Sequence, residues 1–134
     1  MDKENLFGIG QENSAYAKYF KGQSYLNMLT MLNGVGVANV TFEPGCRNNW
    51  HIHKSKNGGG QILICTQGSG WYQEDGKKAI SLEPGMVITI PENVKHWHGA
   101  KKDAWFCHLA IEVPGEQTEN VWLEEVSDEE YDKL

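Results

Sequence analysis

His51 and His53 stand one residue apart in the stretch GCRNNWHIHKSKNGGGQILICTQG, which also carries Gln61. His96 and His98 repeat that spacing in GMVITIPENVKHWHGA, and His108, the last of the five histidines, lies just beyond. Side chains two apart on a β-strand point to the same face, so His51 and His53 can chelate one ion. Gln61 opens the following strand and can reach the same centre across a hairpin, and His96 arrives from a third strand. Three imidazoles and one amide oxygen suit Mn, Fe, Co, Ni or Zn better than Mg or Ca. Such a set carries no negative charge. One divalent ion held there keeps its full charge and is a strong Lewis acid toward a hydroxyl or carbonyl. His98 and His108 give the stretch its catalytic look. A histidine beside the reacting group that does not ligate the metal is a natural general base near neutral pH. His98 reads equally well as a residue that holds a ligand in place.

The elements that must position these residues are strands. VGVANVTF, Val35 to Phe42, is β-branched, with Gly36, Ala38, Val40 and Phe42 on one face and Val35, Val37, Asn39 and Thr41 on the other. NWHIH, QILICTQ, WYQ, KAISL, MVITIP, KHWHGA and DAWFCHLAIEV continue the series. They are separated by two EPG turns at 43–45 and 83–85, by GSG, and by Asp75-Gly76, a hairpin signal. Alternation in the last run places Phe106, His108, Ala110 and Glu112 together, opposite Trp105, Cys107, Leu109 and Ile111, and we expect the His108 face to look inward. Short strands at this spacing predict an all-β sandwich or barrel. YAKYFKGQSYLNMLTML reads as a strand, a helical turn, or both around Gly22. KSKNGGG, residues 54–60, reads as a flexible connection that can serve as a lid. Ser127 with Glu130 forms a capping box for a short C-terminal helix. Residues 1–17 are expected to be an N-terminal arm, loose to about residue 14, ahead of one domain spanning 18–134.

Two spaced motifs carry a family resemblance. Gly45, His51, His53 and Gly68 fit the first cupin motif, with Gln61 where glutamate is usual and a longer gap before it. Gly85, Pro91 and His96 fit the second, with Asn93 and Ala100 as departures. VTFEPG, WHIH, KHWHGA, HLAI and VWLEEVSDEEY further resemble the small bacterial monocupins related to carboxymuconolactone-decarboxylase-associated cupins. That group includes manganese-dependent cupin hydroxynitrile lyases. The resemblance implies a single-domain jelly-roll cupin and a homodimer. It implies His51, His53, Gln61 and His96 as ligands, manganese as the first choice of ion, and His108 as the base. Ala38, Val40 and Glu112 are substrate-pocket positions at which this chain departs from those lyases, and Phe106 and Ala110 share the His108 face.

Composition narrows the class. The chain has 134 residues, enough for one core, and a formal net charge of −6, which argues against nucleic acid or an anionic membrane as partner. Three cysteines with no CxxC indicate neither a disulfide framework nor a zinc knuckle. With no signal-like N-terminus, the expected setting is cytoplasmic with reduced thiols. Cys46 and Cys107 read as core thiols, and Arg47 as an exposed loop residue or a clamp for a substrate carboxylate. The functional expectation is an enzyme using the ion on a small hydroxy or carbonyl compound, by lyase or lactone-type chemistry. The alternatives are an iron-dependent cupin dioxygenase and a non-enzymatic binding module for a metal or small molecule.

Overall fold

Alternating apolar residues punctuated by glycine and proline turns give strands throughout the computed structural model, which describes residues 5–134. The strands are β1 (Gln11–Glu12), β2 (Phe20–Lys21), β3 (Ser24–Leu32), β4 (Val35–Phe42), β5 (Arg47–Asn48), β6 (His51–Lys54), β7 (Asn57–Gly58), β8 (Gln61–Gly68), β9 (Gly70–Glu74), β10 (Ile80–Leu82), β11 (Val87–Ile90), β12 (His96–Ala100), β13 (Phe106–Glu112), β14 (Gly115–Glu116) and β15 (Glu119–Trp122). The helix α1 (Asp128–Asp132) closes the chain, and a single 3-10 turn, Ala17–Tyr19, precedes β2. Among the described residues no helix is long and apolar enough to cross a membrane.

One sheet runs β1-β3-β4-β13-β8-β11. The other runs β10-β9-β12-β5-β2, and β6 joins it by pairing with β12 and β15. Phe42, Leu63 and Ala110 of the first sheet share one buried cluster with Tyr72, Leu82 and Ala100 of the second, so the inner faces form a single core. This is an all-β, single-domain jelly-roll of cupin type.

Register fixes which residues share the inner face. Across β4 and β13, Val40 pairs with His108, Ala38 with Ala110 and Gly36 with Glu112. Across β13 and β8, Glu112 pairs with Gln61, Ala110 with Leu63 and His108 with Cys65. The β13–β8 register shifts between Cys107 and His108, because Thr66 is an extra residue in β8. The Thr66 hydroxyl donates to the Cys107 carbonyl at 3.1 Å there.

Three expectations are corrected. Residues 5–12 are strapped to the sheet rather than loose. Asn5 donates to Thr41 Oγ1 at 2.8 Å, Asn39 Nδ2 reaches Asn5 Oδ1 and the Gly8 carbonyl at 2.8 and 2.7 Å, and β1 pairs with β3. Asn39 and Thr41 are buried polar groups on the face away from the core, and the arm supplies their partners. The expected looseness at residues 1–4 lies outside the described residues.

The 54–60 connection is pinned rather than flexible. β7 pairs with β14, the Lys56 amide donates to the Glu116 carbonyl at 2.9 Å, and Ser55 and Asn93 exchange two hydrogen bonds of 3.1 Å. Gly58, Gly59 and Gly60 all have positive φ, at 69, 86 and 96°, which accounts for the glycine run.

Arg47 is neither an exposed residue nor a clamp in the cavity. It is 4 % exposed, donates Nη2 to Asp128 at 2.6 Å and to the Val126 carbonyl at 3.0 Å, and lies 4.1 Å from the Tyr131 ring centroid. It therefore staples α1 to the barrel. Ser127 caps α1 by accepting from the Glu130 amide at 3.1 Å.

Candidate metal centre and cavity

The two histidine stretches meet because β6 and β12 are neighbours with His51 opposite His96. The rings of that pair lie 4.2 Å apart, and His53 is 5.2 Å from each of them. Each imidazole is oriented by an oxygen. His51 Nδ1 donates to the Asn49 carbonyl at 2.8 Å and His96 Nδ1 to the Val94 carbonyl at 2.9 Å, the same bond to a residue two positions upstream at both motifs. His53 Nδ1 donates to Asn120 Oδ1 at 2.8 Å. A carbonyl oxygen only accepts, so the proton sits on Nδ1 and Nε2 keeps its lone pair. Nε2 of His53 and of His96 is buried with no hydrogen-bond partner among the described residues. Orphaned buried acceptors on imidazoles held by their other nitrogen are what a metal ligand set requires, so these residues fit a divalent transition ion.

A second, overlapping group exists. His51, His96 and His98 each bring a ring nitrogen within 4.8 Å of the others. The two sets differ in what the third ring has to offer. The His98 ring nitrogens face Asn48 Nδ2, at 3.3 and 3.5 Å, and Asn48 Oδ1 accepts from the His98 amide at 2.9 Å. Asn48 thus competes for the lone pair of His98, whereas among the described residues nothing competes for Nε2 of His53.

In front of the cluster lies a cavity of about 330 Å³. His51, His53, Gln61, His98 and His108 line its polar end, while His96 stands behind His51. Of the expected pocket residues, Ala38, Val40, Ala110 and Glu112 line the wall. Phe106 does not. It is fully buried in the core and backs the His108 ring, 5.4 Å between centroids. Gln61 donates Nε2 to Glu112 Oε1 at 2.9 Å. Cys65, the cross-strand neighbour of His108, sits in the core and Cys46 is fully buried; burial pushes the Cys46 thiol up to about 12 and the Cys65 thiol to about 11, so both are inert.

The sequence reading missed the aromatic wall. Trp122 lies opposite His51 in the β15–β6 register and stacks on it at 4.7 Å, and Tyr19 stacks on Trp122 at 4.6 Å and 4°. Tyr16 and Phe20 complete this side of the cavity. Asn120, two residues before Trp122, is the cross-strand partner of His53. The period-two alternation of β15 is the one sequence signal that ties Asn120 and Trp122 to a common face. Asn13 and Tyr16, within the expected arm, also reach the cavity.

Burial sets the electrostatics. His108 is completely buried, neither ring nitrogen makes a well-formed hydrogen bond among the described residues, and desolvation lowers its pKa to about 4 against a weaker opposing contact with the Leu109 backbone. Desolvation likewise lowers His96 to about 4 and carries His51 and His98 well below the usual histidine range. The unfolded chain takes up protons near pH 6.5 that the folded chain refuses. Stability is therefore full above pH 6.5 and is lost as the pH falls toward 4. Each of His96 and His108 accounts for about 3 kcal/mol over the full window, since one pKa unit is about 1.36 kcal/mol. Urea titrations of the metal-free chain at pH 7, 6 and 5 should show a steep fall before most carboxylates titrate. A flat profile would contradict neutral buried imidazoles.

Comparison with known proteins agrees with this geometry. Residues 38–112 match the Cupin domain family. The chain is 42% identical over 97 residues to a protein from Granulicella tundricola named (R)-mandelonitrile lyase, covering 72% of this chain and 71% of the other. The crystal structure of a cupin-like protein from Thermotoga maritima aligns with a TM-score of 0.84 at 39% identity, over 97% of this chain and 96% of that one. A second protein from the same organism, named a predicted oxalate decarboxylase, shares the fold at 18% identity with a TM-score of 0.65, over 84% of this chain and 96% of that one. The paired histidine motifs, the jelly-roll that brings them together and these matches place the chain in the cupin family, as a small monocupin resembling the hydroxynitrile lyase cupins.

Proposed function

We propose that this cupin is a metal-dependent lyase that cleaves a small hydroxy compound of the cyanohydrin type to a carbonyl compound. His51, His53 and His96 would hold the ion through Nε2, and Gln61 through its amide oxygen. The observation that carries this reading is the pairing of two imidazole environments in one cavity. Three rings have Nδ1 anchored on oxygen acceptors, and His108, 5.0 Å from His98 on the wall of the same cavity, is buried with neither nitrogen well bonded among the described residues. The name of the Granulicella relative supports the reaction class.

The bound ion supplies Lewis acidity toward the substrate oxygen. The chain supplies the rest. A ring nitrogen of His108 accepts the hydroxyl proton. As the carbonyl forms, the bond to the nitrile carbon breaks, and cyanide leaves with the electron pair. His108 then returns the proton to cyanide, so the ring ends neutral. His98, 5.0 Å from His108 and held by Asn48, keeps that ring in place. The apolar wall of Phe20, Val40, Phe42 and Trp122 excludes water and suits an aryl or alkyl substituent.

Purified protein loaded in turn with Mn, Co or Zn should cleave cyanohydrins at similar rates with and without oxygen. Turnover that needs both O2 and iron, measured by oxygen consumption on a panel of hydroxy acids, lactones and thiols, would replace the lyase with a dioxygenase. Metal-loaded protein that turns over nothing on the panel but binds its members would make it a binding module.

A further inference from the structure

We infer that Glu112 is a positioning residue that sets the orientation of the Gln61 amide; this rests on the reading of Gln61 as a metal ligand. A glutamine amide has two chemically different ends of nearly identical shape. Left alone in a cavity it can turn either the oxygen or the NH2 group toward an ion, and only the oxygen can ligate. A carboxylate oxygen offers only acceptors here, and it takes the Gln61 Nε2–H at 2.9 Å. That bond commits the nitrogen to Glu112 and leaves Oε1 for the cavity. The pairing is built into the sheet: Glu112 ends β13 directly opposite Gln61 at the start of β8. Across β4 the residue opposite Glu112 is Gly36, so no side chain projects from that position, and the end of Met31 covers it. Glu112 is also the one acidic side chain on the cavity wall among the described residues, beside a ligand set that is itself uncharged.

Orientation and charge are separable. Glu112→Gln keeps an acceptor oxygen for Gln61 and removes the charge, whereas Glu112→Ala removes both. Glu112 is exposed at a strand end, so neither change threatens the fold. Mn(II) and Co(II) affinities are measured by titration, and the Co(II) electronic spectrum reports the donor set. Glu112→Ala should bind either ion about 10-fold more weakly, the lower end of the usual loss when a group supporting a ligand is removed, with an altered Co(II) spectrum. Glu112→Gln should recover most of the affinity and the parent spectrum.

A Glu112→Gln protein as weak as Glu112→Ala would show that charge alone matters and overturn the positioning role. Unchanged affinity and spectrum in Glu112→Ala would overturn it as well. Gln61→Leu identifies where the failure lies. If Gln61→Leu binds weakly while Glu112→Ala is unchanged, the positioning role alone is wrong. If Gln61→Leu binds both ions like the parent, Gln61 is not a ligand and both readings fall.

Discussion

His108→Ala should retain its metal and its fold, melting lower because a fully buried ring is lost, while turnover drops by about 10²–10⁴-fold, the usual size of a general-base contribution. The expectation comes from the surroundings of the ring. His108 lies between Val40 and Cys65 in the sheet, packed against Phe42 at 5.6 Å and Phe106 at 5.4 Å, with the His98 ring at 5.0 Å. A purely structural imidazole at zero exposure would bond at least one of its nitrogens, because an unmet buried polar group costs about 1–3 kcal/mol. Neither nitrogen makes a well-formed hydrogen bond among the described residues, the Leu109 backbone being a contact outside that geometry, so the ring is left with capacity for a partner from the cavity. Desolvation holds the ring neutral down to about pH 4, so under the proposed reaction the parent protein should keep its turnover below pH 6 and lose it on an acid limb near 4. Metal content and circular dichroism followed at the same pH values separate this limb from loss of ligands and from acid unfolding. His108→Gln, which fills the space but cannot accept and return a proton in the same way, should be as inactive as His108→Ala. Parent-like turnover in either variant removes His108 from the chemistry and leaves His98 as the candidate.

His51→Ala should lose most of its bound ion and, with it, the stability that the ion confers. His51 is central to both histidine sets, with ring neighbours His96 at 4.2 Å, His53 at 5.2 Å and His98 at 5.8 Å. Removing it therefore breaks the site whichever histidine completes it. Binding stabilises the folded state only, by about 2.7 kcal/mol when free metal stands at a hundred times Kd. For a chain of this size that is about 10 °C in Tm. His51 also stacks on Trp122, so the variant will melt somewhat lower even in chelator. The quantity that matters is the increment on adding metal: large in the parent, near zero in His51→Ala. Elemental analysis should find about one ion per parent chain and a small fraction of that in the variant. Stoichiometric metal in His51→Ala would remove the basis for the whole assignment.

What the sequence determined by itself is local. Period-two spacing put His51 with His53, and put His108 with Ala110 and Glu112, because neighbouring side chains of a strand must point to opposite faces. The EPG turns were legible because they need a residue at positive φ, and Gly45 and Gly85 are at 81 and 93°. The capping box at Ser127 was legible because it closes within four residues.

The tertiary structure decided everything that depends on which strands are neighbours. Pairing β15 with β6 brings Asn120 to His53 and Trp122 to His51 across about 70 residues of chain, and no spacing rule reaches that far. The extra residue at Thr66 breaks the alternation of β8. Gln61, Leu63 and Cys65 stay opposite the inward residues of β13, while Gln67 falls opposite Cys107 on the outer face. Arg47 looked like a loop residue because its carboxylate partner, Asp128, is 81 positions away. Phe106 shared the parity of His108 yet fell behind the cavity, because parity gives a face and only packing gives depth.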